Sequence, residues 1–411
     1  MLRGLYTGAF EERSSAARAI ELGRAMVAAK GQCVPRRVVQ LLPSVGWGGA
    51  ERLACTMHRQ AQARGWSSSF EAPWLRSLEV GLYEDGARER GGALADAPTT
   101  DRERSRVLRE WARETRARVE RERPSVVHAH LAFPDRFGAA LVASAGRPLV
   151  CSFQLLPEPG RSWSRDEVFG WRSDTLLERV GPWLDRVTYV GPSEDDVRRL
   201  RALVGPRAKV ERVVNCPPLP RVNEPKASAF EWRPGVCRVL SVGRLVRQKG
   251  FDRMIDAMAS ERLRALPWQW VIVGSGPDEA ALRAQIEARG LSDRVVIETD
   301  RRGSAMYPSA ELLLSPSRSE GYPLVPMEAV EAGVCVKVSK IAAHEELFVK
   351  EPSAILPEDE RAWPEALAML ILSDRARDDE RKHQRRGLPE DFRSETDRGY
   401  ARIYERAGDA C

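Results

Sequence analysis

The chain has 411 residues, 43% of them apolar, so it is long enough for two or three domains and can bury a large core. Basic residues number 65 against 59 acidic ones, a formal charge of +6 that is compatible with nucleic acid, anionic lipid or phosphorylated ligands and does not choose among them. No run of about 18 apolar residues occurs, and the seven cysteines are scattered without C-x-x-C or histidine at metal-ligand spacing, which argues against a membrane-spanning helix, a disulfide framework and a zinc site.

Residues 1–36 form an N-terminal extension with no functional reading. Met1 to Lys30 lacks the basic start, apolar core and cleavage site of a secretory leader, so a cytoplasmic location is expected. From Arg37 short apolar runs alternate with longer amphipathic ones. Strands are predicted at Val38 to Leu42, Val126 to His128, Leu149 to Phe153, Val187 to Val190 and Val210 to Val214, and helices at Glu51 to Arg64, Arg104 to Arg121 and Asp195 to Leu203. This βαβ alternation predicts a first Rossmann-like domain over residues 37–216. Pro217, Pro218 and Pro220 then open a linker, 217–235.

The same pattern restarts over residues 236–390. Strands are expected at Arg238 to Val242, Trp270 to Gly274, Arg294 to Ile297, Leu312 to Ser315 and Cys335 to Val338, with helices beginning near Gly250, Pro277, Val325 and His344. The fold class is therefore α/β, two doubly wound Rossmann-like domains facing a central cleft. Residues 391–411 form a C-terminal helix with Tyr400, Ile403 and Tyr404 at helical spacing, its position not readable from the sequence.

In the first domain, Gly46-Trp-Gly-Gly-Ala-Glu51 follows the first strand, where Gly48 and Gly49 can bring backbone N–H groups against an anion or a sugar. Val126-Val-His-Ala-His130 ends a strand with two histidines on one face, and His130 lies closer to the C-terminal end, where such sheets bind ligands. A structural histidine is the other reading. Gln154 to Pro182, with Trp163 and Trp171, reads either as an acceptor-side lid or as a packed surface loop.

The second domain opens with Ser241-Val-Gly-Arg-Leu-Val-Arg-Gln-Lys-Gly250. Gly243 permits close backbone approach, and Arg244 and Lys249 can place two cations on one diphosphate. Next, Gly274-Ser-Gly276 reads as a tight strand-to-helix turn or a weak phosphate loop. Glu320-Gly-Tyr-Pro-Leu-Val-Pro-Met-Glu328 places one acid in a loop and one on a helix. Between them the N–H groups near Leu324 and Val325 carry the positive end of the helix dipole, a seat for phosphate oxygens. Two exposed acids on an ordinary strand-loop-helix are the competing account. No Asp-x-Asp or other acid cluster suited to magnesium is present.

In order, these pieces resemble the retaining glycosyltransferases of family 4 (glycosyl transferases group 1), which have the GT-B fold. The resemblance runs from about Val38 to Tyr404 and rests on Gly243-Arg-Leu-x3-Lys-Gly250, Gly274-x-Gly276, Ser317-Arg-Ser-Glu-Gly-Tyr-Pro-Leu with Glu328 and Gly333, Gly48-Gly-Ala-Glu51, and the His-Ala-His ending at His130. It implies an acceptor-side first domain and a donor-side second domain. It implies Arg244 and Lys249 on the donor diphosphate, joined by backbone of Gly321, Tyr322, Pro323, Leu324 and Val325. Glu328 would accept ribose hydroxyls, Glu320 would hold donor-sugar hydroxyls, and His130 would contact the sugar or the incoming hydroxyl. Gly48, Gly49, Gly243, Gly274 and Gly276 join the donor-binding set.

No cofactor and no metal are expected, only a UDP- or GDP-sugar co-substrate and a hydroxyl acceptor on a glycan, lipid-linked or small molecule. Nucleic acid is not an expected partner, and peripheral association with the inner membrane face stays open. Asn215-Cys-Pro-Pro and Val295-Val-Ile-Glu298 depart from the family pattern, and His344-Glu-Glu346 resembles its glutamate-bearing turn. The alternatives are a catalytically silent partner subunit and an NAD-dependent oxidoreductase; Glu279 in place of the third fingerprint glycine disfavours the second.

Overall fold

A computed structural model describes residues 34–42, 49–72, 101–131, 140, 143–153, 187–204, 206, 208–217, 230–299, 303–388 and 392–409. Gly48, the loop from Gln154 to Pro182, most of the extension (1–33) and most of the linker (218–229) lie outside the described residues. The chain divides into two compact units, Met1–Val214 with Ser394–Cys411, and Asn215–Arg393.

The first unit carries six parallel strands, β1 (Val34–Leu41), β2 (Ser67–Glu71), β3 (Pro124–Leu131), β4 (Leu149–Phe153), β5 (Val187–Gly191) and β6 (Lys209–Arg212), in the order β2-β1-β3-β4-β5-β6. Helices α1 (Gly49–Ala63), α2 (Asp101–Glu122) and α3 (Glu194–Val204) connect them. Every residue of β4 is buried, as expected of a central parallel strand covered on both faces. Trp111, Val119 and Leu200 from the helices complete this core. Strand β2, Ser-Ser-Ser-Phe-Glu, was not predicted. It is an edge strand paired only with β1, and half of it lacks the apolar signal that marks a buried strand.

The second unit carries five parallel strands, β7 (Cys237–Val242), β8 (Trp268–Val273), β9 (Val295–Glu298), β10 (Leu312–Ser315) and β11 (Cys335–Val338), in the order β11-β10-β7-β8-β9. Its helices include α4 (Phe251–Met258), α5 (Glu279–Ala288), α6 (Leu324–Glu331), α7 (Ala342–Leu347), α8 (Trp363–Leu372) and α9 (Asp374–Gly387). The chain winds outward from β7 through β8 to β9, then returns to the other side of β7 with β10 and β11. The strand order therefore reverses between β7 and β10, the position at whose carboxyl ends open α/β sheets bind their ligands. Helix α9 is highly charged, yet it buries Gln384, whose amide donates to the Val336 carbonyl and accepts from the Val336 N–H at 2.8 and 2.9 Å. A side chain thus occupies the free edge of β11.

The last helix, α10 (Phe392–Asp409), joins the first unit rather than standing apart. Arg64 forks onto Asp397, the Thr396 hydroxyl donates to the Val214 carbonyl, and Tyr400, Ile403 and Tyr404 are buried. Cys151, Cys237 and Cys335 are buried free thiols.

Candidate functional site

At the β7/β10 switch point two loops meet. The β7 loop ends in Gly250, whose φ of 69° is left-handed and whose Cα has the Pro316 carbonyl where a Cβ would stand, 2.0 Å away, so glycine is required on both counts. The loops are laced together. Arg318 forks onto Asp252 at 2.6 and 2.8 Å, its N–H donates to the Gln248 carbonyl, and the Gln248 amide donates to the Ser319 carbonyl. Arg253 donates to the carbonyls of Pro316 and Ser317 while its guanidinium stacks on Trp363. None of Arg253, Asp252 and Arg318 was selected from the sequence, because a long-range clamp has no local spacing.

Gly274 and Gly276 serve the same loop from below. A Cβ on Gly274 would lie 1.8 Å from the Gly243 carbonyl oxygen, and one on Gly276 would lie 2.4 Å from that of Leu245. The Leu245 N–H donates to the Ser275 carbonyl and the Asp278 N–H to the Leu245 carbonyl. The G-x-G pair therefore brings one βα turn against another. This backbone packing is what the structure adds to the sequence reading of these glycines as donor-binding.

On this frame Lys249 and Glu320 form an ion pair of 2.6 Å, and the Ser317 hydroxyl donates to the same carboxylate oxygen, also at 2.6 Å. The stem of Lys249 crosses Gly243, where an added Cβ would meet three of its carbons at 3.4 Å. Both partners are largely buried, with side chains 19% and 12% exposed. Burial opposes the charge on Glu320; the charge and hydrogen bond of Lys249 and the Ser317 hydroxyl outweigh it and hold the carboxyl below the ordinary range. The sequence reading had placed Lys249 beside Arg244 on a common anion. Arg244 is exposed, and its side chain has no ion pair or hydrogen bond among the described residues.

Gly321, Tyr322 and Pro323 are buried and lead into α6, whose first residues Leu324 and Val325 are half-buried. No side chain caps this helix, so its leading N–H groups stay available to an anion. One turn on, Glu328 accepts a hydrogen bond from the Tyr307 hydroxyl at 2.9 Å. His344 on α7, near Glu320, is fully buried, with Nδ1 2.8 Å from the Ser339 carbonyl.

The first unit holds a different cluster. His128 and His130 share a face of β3 as their spacing predicts, with ring centroids 4.0 Å apart, and both are wholly buried. His128 lies between the Tyr404 hydroxyl and the Ser152 hydroxyl, and Ser152 is bonded to the Tyr400 hydroxyl. His130 Nε2 donates to the Gln40 side-chain oxygen at 2.9 Å, and the Gln40 amide donates to Ser68. Burial drives His130 down to about 3, so it is a neutral ring at pH 7. His130, chosen from the sequence as a ligand contact, is thus held inside a network that includes the tyrosines of the distant α10. Gly49 begins α1, and Gly48 is outside the described residues. Among the described residues no group of three or more His, Cys, Asp or Glu is placed to hold a metal ion, and no helix is long and apolar enough to cross a membrane.

Two family models match the chain, "Glycosyltransferase Family 4" over residues 47–217 and "Glycosyl transferases group 1" over residues 226–386. The lipopolysaccharide core biosynthesis mannosyltransferase LpsB of Rhizobium meliloti is 28% identical over 170 residues, 39% of this chain and 48% of that protein. Alpha-D-kanosaminyltransferase of Streptomyces kanamyceticus is 29% identical over 246 residues, 54% of this chain and 60% of that protein. The chain therefore spans about half the length of the curated relatives it matches. Among solved structures, sucrose-phosphate synthase from Thermosynechococcus elongatus superposes with a TM-score of 0.68 at 17% identity, covering 90% of this chain and 100% of that one. Anabaena HepE, solved in complex with UDP and glucose, gives 0.63 at 15% identity, covering 91% and 98%. At these identities the two structures speak to the shared GT-B fold.

Proposed function

The chain belongs to glycosyltransferase family 4, and from that premise we propose that it transfers a sugar from a nucleoside diphosphate sugar to a hydroxyl acceptor, with retention of anomeric configuration and without a metal ion. The observation that supports this reading is the Lys249–Glu320 pair, its acid four residues before the uncapped start of α6 at the switch point of the second sheet, with Arg244 exposed on the same β7 loop as Lys249. Cleaving the sugar–phosphate bond leaves an oxocarbenium-like centre and a more negative diphosphate, so fixed positive charge at the leaving group lowers the barrier. Arg244, Lys249 and the α6 N–H groups supply that charge, which removes the need for a divalent ion. Glu320 holds donor-sugar hydroxyls and Glu328 the ribose.

In the transfer, the bond from the anomeric carbon to the phosphate oxygen breaks. The acceptor oxygen bonds to that carbon on the same face, and its proton passes to the leaving phosphate oxygen. No protein nucleophile enters the sequence. The relatives named for lipopolysaccharide core biosynthesis support a glycan or glycoconjugate as acceptor.

A screen of UDP- and GDP-sugars by thermal shift and by sugar-nucleotide hydrolysis tests the reading. One donor class should stabilise the protein, and its turnover should persist in excess EDTA. Absence of any stabilising donor sinks the proposal, and activity abolished by EDTA and restored by a divalent ion sinks its metal-free part.

A further inference from the structure

His344 carries a polar atom that neither the fold nor the transfer chemistry accounts for. A carbonyl oxygen only accepts, so the Nδ1 facing Ser339 carries the hydrogen and Nε2 carries the lone pair. That Nε2 is shut off from solvent and has no hydrogen-bond partner among the described residues. An acceptor left so is costly, and such exceptions point to an ion, a water or a working role. Three charges face the ring: Glu320 favours its protonation, while Lys249 and Arg253 oppose it. Burial is the largest influence and brings the ring down to about 4, so it is neutral at pH 7.

Of the two opposing cations, Arg253 is tied to the Pro316 and Ser317 carbonyls and to Glu360. The Lys249 ammonium is bonded to Glu320 alone among the described residues. A diphosphate arriving at the start of α6 competes for that ammonium, and when Lys249 moves onto it the buried Glu320 loses its cation. At that moment the field at His344 changes in one direction, because a positive charge has left and an uncompensated carboxylate remains.

We propose that His344 is a positioning residue that takes one proton at Nε2 when the donor diphosphate draws Lys249 from Glu320, replacing Lys249 as the counter-charge that keeps Glu320 an ionised acceptor for sugar hydroxyls. The inference rests on reading the switch point as the donor site. The proton comes from solvent, and the Nε2–H bond is the only covalent bond formed. Since the bound state holds more protons than the free state, donor affinity rises as pH falls toward the free-ring value of about 4 and levels off below it.

The test is calorimetric titration of the full chain with UDP-glucose and GDP-mannose at about pH 6, in two buffers of different protonation enthalpy; their diphosphate diesters carry no group of their own titrating there. Wild type should take up roughly one proton per donor bound, and His344→Asn, whose amide can still donate to Ser339, should take up none. Donor binding without uptake in wild type, or equal uptake in the variant, overturns the inference and leaves the donor site standing. Binding of neither sugar nucleotide overturns both. A ligand-free arm covers a variant that fails to fold: NMR titration of His344 in Lys249→Met should show its midpoint raised from about 4 to above about 6, as near-complete uptake at pH 6 requires, and a midpoint left below about 5 counts against the proposal.

Discussion

The polar centres of the two units serve opposite ends. In the first, His128, His130, Gln40, Ser152, Tyr400 and Tyr404 bond to one another out of water, and the result is a rigid attachment of α10 to the sheet. In the second, Arg244 stands exposed, α6 begins without a side-chain cap, and Lys249 is held by a carboxylate that an incoming anion can replace. A neutral network that is paired at every position but His130 Nδ1 stabilises a structure and has little left to offer a ligand. Unspent charge contributes little to folding and is what a binding site requires.

The sharpest way to break that contrast is to separate activity from stability. Arg244→Ala should lower turnover by roughly 10²-fold, the scale of one lost charge-stabilising contact, and shift unfolding free energy by less than about 0.5 kcal/mol because the side chain has no partner to lose. Lys249→Ala should lower turnover comparably and also destabilise by about 3 kcal/mol, since it strands Glu320 without its cation. Paired turnover and urea-melt measurements check both. Arg244→Ala with full activity would remove the residue from the site, and Lys249→Ala with unchanged stability would remove the ion pair from the ligand-free state.

How much of this was legible follows from where each signal lies in the chain. The central strand Leu312 to Ser315 was placed correctly because burial on both faces writes a continuous apolar run. The edge strand β2 and the charged α9 were not, because one gains its register from β1 and the other its anchorage from Gln384, Arg377 and Glu380 reaching partners far away in sequence. At the site, the helix start around Leu324 was readable from Pro326 and the flanking acids. The Lys249–Glu320 pair, 71 residues apart in sequence, was not. Nor was the burial of His130, whose residue type and strand position are the same for a ligand contact and for a core histidine.

A smaller effect appears with pH in the first unit. His130 has an ordinary value of 6.5 and is held near 3 by burial, so the unfolded chain binds the proton more readily than the native one. Native stability is therefore unaffected above neutrality and falls as pH drops below about 6.5, by on the order of 2 kcal/mol at pH 5 from this ring alone. His130→Gln should flatten that limb of the stability profile, as followed by chemical denaturation at a series of pH values. An unchanged acid limb would mean that the ring is hydrated or charged in the native state, and the first cluster would then resemble the second more closely.

The smallest expected change concerns Glu328. Its bond from the Tyr307 hydroxyl orients the carboxylate, so under the proposed function the tyrosine acts by positioning Glu328. Tyr307→Phe keeps the buried ring and removes one hydrogen bond worth about 1 kcal/mol, which corresponds to a roughly fivefold rise in donor KM with little change in kcat. That split is the informative part. A ribose contact is made equally in the ground and transition states, so weakening it raises KM alone, whereas a fall in kcat would place Glu328 at the reacting end of the donor with Glu320.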